Sequence, residues 1–186
     1  MKKVLFVILL FICIGVKAET IEVTFKNCID GDTAWFTMDE EDIKVRFIGI
    51  DAPELEHEET PAEYYSEEAM DYVCKKLERA NKIELEFDPN SDKQDKYDRY
   101  LAWIFVDDNL LQKDIVKNGY AKVAYLYDNY KYSDILIKNE NNAKKNNLGI
   151  WKDYVNKDFN YYFSKYKDII ILIGILVIYI LFKKKR

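Results

Sequence analysis

The stretch that most constrains this chain is Arg46-Phe47-Ile48-Gly49-Ile50-Asp51-Ala52-Pro53-Glu54. It is a strand-like apolar run with an arginine inside it and two carboxylates at its exit. Pro53 lacks a backbone donor and drives Ala52 towards an extended conformation, so the strand must stop at Asp51. Asp51 and Glu54 then stand on a loop anchored by a rigid element, where functional side chains are exposed yet held. A second acidic turn, Asp30-Gly31-Asp32-Thr33, lies upstream between two further strand-like runs. Pairing of those strands would bring Asp32 towards Asp51. Hard cations such as calcium take that kind of oxygen shell.

Alternation predicts a meander of three strands, Thr20–Cys28, Thr33–Met38 and Ile43–Ile50, then strands over Lys82–Phe87 and Tyr100–Val106. Thr60-Pro61-Ala62-Glu63 carries a cap, a first-position proline and a capping-box glutamate, which predicts a helix from there to about Ala80. A short helix over Leu110–Asn118 ends at Gly119, and a polar one spans about Ser133–Asn147. Tyr120–Tyr127 reads as extended, and Leu148–Trp151 as a segment that docks the last helix. The expected fold class is α+β and mainly β: a five-stranded barrel of the oligonucleotide-binding (OB-fold) kind with three helices.

The flanking segments read as targeting elements in a chain of 186 residues. Residues 1–18 have a basic start, a short apolar core and a small residue at the cleavage position, the pattern of a signal peptide; an uncleaved anchor is the alternative. The domain is expected over 19–151, a stalk rich in lysine and tyrosine over 152–168, a membrane anchor over 169–182 and a basic tail over 183–186. Fourteen helical residues span about 21 Å against a hydrocarbon core of about 30 Å, so snorkelling lysines would make up the difference. A buried helix is the competing reading of that run. The basic cluster points inward, placing the domain outside the cell as a tethered monomer.

All 33 acidic residues but only 21 of the 28 basic ones lie between 19 and 182, a net charge of −12. Such a surface does not hold nucleic acid by counterion release alone, and a polyanion must be met by local cations. Cys28 and Cys74 are the two cysteines beyond the leader; whether they pair is open. Asp88-Pro89-Asn90-Ser91-Asp92 begins like a calcium loop, but Lys93 stands where glycine is required. His57 is read as a solvated loop residue.

A third cluster, Asp95-Lys96-Tyr97-Asp98-Arg99, completes the chemistry-bearing set. Two arginines on separate strands can clamp a phosphate, and a carboxylate can orient or deprotonate water. Asp30-Gly31-Asp32-Thr33, Arg46 with Asp51-Ala52-Pro53-Glu54, Asp95-Lys96-Tyr97 with Arg99, Ala121-Lys122-Val123-Ala124-Tyr125 and Ile150-Trp151 follow one another in order and spacing. On these motifs the sequence, from about Thr20 to Trp151, resembles the staphylococcal nuclease (thermonuclease) family.

That resemblance implies calcium-dependent hydrolysis of DNA and RNA to 3′-phosphates. It implies Asp32, Asp51 and the carbonyl of Ala52 as calcium ligands, Arg46 and Arg99 as phosphate binders, and Glu54 as general base. Lys96, Tyr97, Tyr125 and Tyr127 would line the nucleotide pocket. Three departures from the founding enzyme stand out: Ala52 in place of threonine, Asp98 in place of glycine beside Arg99, and an acidic rather than lysine-rich loop over 56–68. The competing classes are a non-catalytic nucleic-acid-binding barrel and a calcium-stabilised adhesion module.

Overall fold

The computed structural model describes residues 19–58 and 60–152, together with 166, 167, 169, 171 and 173. The leader, nearly all of the stalk and most of the apolar run over 169–182 lie outside the described residues. Among those described, no helix is long and apolar enough to cross a membrane.

Within residues 19–152 as described, nine strands and three α-helices follow in order. They are β1 (Thr20–Glu22), β2 (Thr24–Cys28), β3 (Thr33–Met38), β4 (Glu41–Phe47), β5 (Ile50–Asp51), α1 (Ser66–Glu78), β6 (Ile83–Glu86), β7 (Tyr100–Val106), β8 (Asn109–Leu110), α2 (Leu111–Lys117), β9 (Lys122–Val123) and α3 (Ser133–Lys145). A 3₁₀ turn over Gly149–Trp151 closes the domain.

The main sheet runs β1-β6-β7-β4-β3-β2, with β8 added to β7. Every pairing is antiparallel except β4 with β7. The two ends of this path, β1 and β2, are separated in sequence by Val23 alone. The single strand expected over Thr20–Cys28 is therefore broken: at Val23, whose N–H still donates to Ile83 O at 3.0 Å, the chain leaves β6 for β3. Apolar side chains from every layer, among them Phe36, Phe47, Leu85, Trp103, Ile104 and Ile115, fill the interior. The domain is thus α+β, mostly sheet, with the three helices expected.

Two further expectations are corrected. The helix predicted from Thr60 begins at Ser66. Thr60 instead exchanges two backbone hydrogen bonds with His57, each 3.0 Å, and Glu63 uses its carboxylate on the N–H of Glu54 rather than in a capping box. The strand predicted as Ile43–Ile50 ends at Phe47. Gly49 adopts φ +78°, where a side chain would be strained and would crowd Trp103 and Leu136. The chain then turns out of the main sheet, and β5 pairs with β9 in a separate ladder, Ile50 opposite Val123 and Asp51 opposite Lys122.

The calcium-loop look-alike is a structural anchor instead. Asp88 is buried and accepts hydrogen bonds from Trp103 Nε1 (2.8 Å), Lys131 N (2.8 Å) and Asn90 N (2.9 Å). Cys28 and Cys74 form a disulfide, with Cα atoms 5.8 Å apart, tying the end of β2 to α1.

Candidate active site

Register places the first arginine. On β4, Arg46 lies opposite Thr33 of β3 on one side and Leu101 of β7 on the other. Arg99 immediately precedes β7, two residues before Leu101, and both arginines line one cleft. The close approach of the acidic turn depends on Gly31. A Cβ there would lie 2.7 Å from the Ala52 Cβ and 3.0 Å from that of Ala69 on α1. Without that contact Asp32 could not reach Ala52.

Around this turn the polar groups form one network. Asp32 is 2% exposed; its Oδ1 faces Arg46 Nε at 3.0 Å and its Oδ2 accepts the Ala52 N–H at 2.7 Å. Thr33 Oγ1 donates to Asp32 Oδ1 (3.0 Å), and the Asp32 N–H donates to Asp30 Oδ1 (2.8 Å). Arg46 Nη1 donates to the carbonyls of Phe47 and Ile50, both at 2.9 Å, and Nη2 lies 3.4 Å from Asp51 Oδ1. Of the five guanidinium hydrogens, four are engaged, leaving one on Nη2 for a ligand. Asp51 Oδ2 also takes Lys122 Nζ at 2.8 Å.

Arg99 is held differently. Its Nε and Nη2 both lie 2.7 Å from Asp95 Oδ2, and its N–H donates to Asp95 Oδ1 at 3.1 Å. Among the described residues both hydrogens of Nη1 stay uncommitted, so Arg99 can offer more donors to a phosphate than Arg46. Asp98, where the founding enzyme has glycine, adopts φ +58° in the turn closed by its N–H on Asp95 O (3.1 Å). Aspartate is among the residues that tolerate this region, so the turn survives the change.

Burial pushes the Asp32 carboxyl up to about 7; Arg46 pulls it down but does not offset burial, and Asp30 adds to the rise. Glu54 is also raised, by burial first, then by Asp30 and Asp51 against the opposing pull of Arg46. A carboxylate moved towards neutrality is a better proton acceptor at working pH. Burial alone would raise Asp95, but the hydrogen bonds from Arg99 and the Tyr97 N–H hold it below the usual range.

The cleft between these groups has a volume of about 650 Å³. Arg46, Asp51, Glu54, Lys96 and Arg99 line it, as do Tyr97, Tyr125 and Tyr127. The three tyrosines are 65%, 53% and 82% exposed, which excludes a core role for them. Tyr97 sits beneath both Lys96 (4.9 Å) and Arg99 (5.4 Å), and Arg46 lies 5.8 Å from the Tyr125 ring. Asp32 and Ala52 are buried next to Arg46 and to each other.

Among the described residues no three His, Cys, Asp or Glu side chains converge as metal ligands. Asp32 and Asp51 close instead on Arg46, and Ala52 presents its N–H to Asp32. The donor chemistry still fits a hard cation: carboxylate oxygens only, with the charge of buried Asp32 under-compensated. Sequence reasoning gave Lys122 and Asp95 no role and read Glu63 only as a helix cap. Lys122 pairs with Asp51, Glu63 holds the Glu54 backbone and Asp95 orients Arg99. Lys122 and Asp95 lie inside recognised motifs, whereas nothing in the sequence around Glu63 distinguished it from a helix cap.

A sequence profile of the family described as "Staphylococcal nuclease homologue" matches residues 44–153. The chain belongs to the staphylococcal nuclease family. Among family relatives, it is 39% identical over 134 residues to the SPbeta prophage-derived endonuclease YokF of Bacillus subtilis (strain 168), covering 72% of this chain and 45% of that one. It is 38% identical over 146 residues to the endonuclease YncB of the same strain, covering 76% of this chain and 68% of YncB. It is 33% identical over 127 residues to a thermonuclease of Staphylococcus intermedius, covering 68% and 74%. The chain thus spans less than half of YokF and about two thirds or more of the other two.

Proposed function

We propose that the protein is a calcium-dependent phosphodiesterase that cleaves DNA and RNA to 3′-phosphate products outside the cell membrane. The observation that carries this reading is the meeting of Arg46, Arg99 and the raised Glu54 carboxylate on one cleft, with buried Asp32 paired to Arg46. In hydrolysis, water adds to phosphorus, its proton passes to a Glu54 oxygen, and the P–O5′ bond breaks as the 5′-oxygen departs and gains a proton. Negative charge grows on the phosphate oxygens as this happens. The free Nη1 donors of Arg99 and the remaining Nη2 hydrogen of Arg46 meet it, and one such contact typically carries about 10²–10³ in rate.

Asp32 and Asp51, with the Ala52 carbonyl, would hold calcium, which when bound polarises the phosphate and acidifies water. Tyr97, Tyr125 and Tyr127 offer ring faces that accept any base, in keeping with action on both nucleic acids. Two sequence features support an external, tethered location: the leader-like residues 1–18 and the apolar run capped by Lys183–Arg186.

The test is cleavage of single-stranded DNA and RNA by the full chain with calcium, magnesium or chelator, beside Glu54→Gln. Calcium-dependent 3′-phosphate products, lost on chelation and strongly reduced in the variant, are expected. Binding without cleavage at every calcium level would replace the enzyme by a binding module.

A further inference from the structure

Four tyrosines that do not line the catalytic cleft stack into a ladder beside α1. Ring centroids are 5.6 Å apart for Tyr64–Tyr65, 5.6 Å for Tyr65–Tyr120 and 4.3 Å for Tyr120–Tyr72, the last two nearly parallel at 24° and 19°. Lys152 lies 5.4 Å from the Tyr65 ring and Lys76 5.7 Å from that of Tyr72. Tyr72, Lys75, Lys76 and Arg79 follow at helical spacings of three and four, so they share one face of α1. That face borders a second cleft of about 480 Å³ with Val106 and Leu111 in its wall. Lys75 pairs with Asp71 and Lys76 with Asp114 in partly or fully exposed contacts, which contribute little. Among the described residues Arg79 carries no ion pair and is exposed.

Sequence neighbours tie the ladder to residues of the catalytic cleft. Tyr64 follows Glu63, whose carboxylate holds the Glu54 N–H, and Tyr120 stands two residues before Lys122, the partner of Asp51. From Tyr65 to Arg79 the path along α1 covers about 21 Å, the reach of several nucleotides.

We propose that this strip is a track for single-stranded polynucleotide leading away from the scissile phosphate. The Tyr64 ring, 58% exposed, takes the face of an unpaired base, the half-buried Tyr65, Tyr120 and Tyr72 border the path, and Arg79 with the neighbouring lysines takes phosphates. This rests on the nuclease reading of the main cleft. Stacking is the larger contribution, because Glu68 and Asp71 also act on the ladder through Tyr120 and a surface of net −12 cannot hold a polyanion by charge alone. A duplex keeps its base faces inside and gains nothing from the strip.

The test compares a 20-nucleotide single strand with a trinucleotide as substrates of the full chain and of its Tyr64→Ala/Arg79→Ala variant, both changes being at exposed positions. The ratio of kcat/KM for the long over the short substrate is expected to fall about tenfold, chiefly through KM, the low end of what one stacked base contributes. Equal losses on both substrates, or an unchanged ratio, would overturn the track while leaving the nuclease intact. In a Glu54→Gln background, binding of the 20-mer should weaken about tenfold on adding the two changes, which supports the track even without cleavage. An equal loss of affinity for a blunt 20-base-pair duplex would refute the stacking argument.

Discussion

Replacing Cys28 and Cys74 together by serine removes a cross-link between residues 46 apart in sequence. In the chain-entropy account, a loop of that size restricts the unfolded ensemble by about 4 kcal/mol at 25 °C. For a domain of this size that corresponds to a fall in Tm of roughly 12–20 °C. Because the effect lies mostly in the unfolded state, the denaturant slope should rise as the freed chain exposes more surface, along with the lower midpoint. The bridge also ties the end of β2 to α1 just before the Asp30–Asp32 turn, and Gly31 packs against Ala69 of the same helix. The site should therefore loosen with the fold: calcium affinity, read by isothermal titration calorimetry at a temperature where the variant stays folded, should fall several-fold. Urea unfolding followed by circular dichroism measures the stability part. A loss under about 1 kcal/mol with an unchanged slope would show that the unfolded chain is already restricted there, and the entropic reasoning would be wrong.

Three further outcomes are expected. Arg46→Lys keeps a charge but loses the planar fork that reaches Asp32, Asp51 and two carbonyls at once, so kcat should drop by about 10²–10³, and thermal melting should show a lower Tm because buried Asp32 is left poorly matched. The raised Glu54 carboxyl must lose its proton to act as base, so the acid limb of the kcat/KM profile should lie above the ordinary glutamate range and vanish from the residual activity of Glu54→Gln; a limb persisting in that variant would reassign the base. For Asp32 the folded pKa, about 7, exceeds the unfolded one, so the native state binds the extra proton between them. Stability of the calcium-free protein should accordingly fall as pH rises from about 4 to 7, with Asp32→Asn flattening that slope in urea titrations and a rising slope refuting the assignment.

Much of the site was legible because its parts are local. Pro53 ends the strand at Asp51 by removing a donor, the Asp30–Asp32 turn follows from its own residues, and alternation marks β3, β4, β6 and β7 to within a few residues. Arg46, Glu54, Arg99, Tyr97 and Tyr125 could be named because each stands in a short ordered motif, and Tyr127 only through the family resemblance. Asp98 at positive φ could be anticipated from the glycine it replaces.

What stayed hidden depends on partners distant in the chain. Thr60-Pro61-Ala62-Glu63 has the local chemistry of a helix start, yet Glu63 finds the Glu54 N–H and Thr60 finds His57, and α1 begins six residues later. Nothing near Val23 signals that its two flanks serve opposite edges of the sheet. Asp88 reads as a ligand until Trp103 and Lys131 arrive to donate to it. Residue type and short-range sterics set the elements and the chemical groups, because those energies act over a few residues. Tertiary structure alone decided the Cys28–Cys74 bridge, the Asp51–Lys122 pair and the burial that lifts Asp32, since desolvation and long-range hydrogen bonds exist only once the layers have closed.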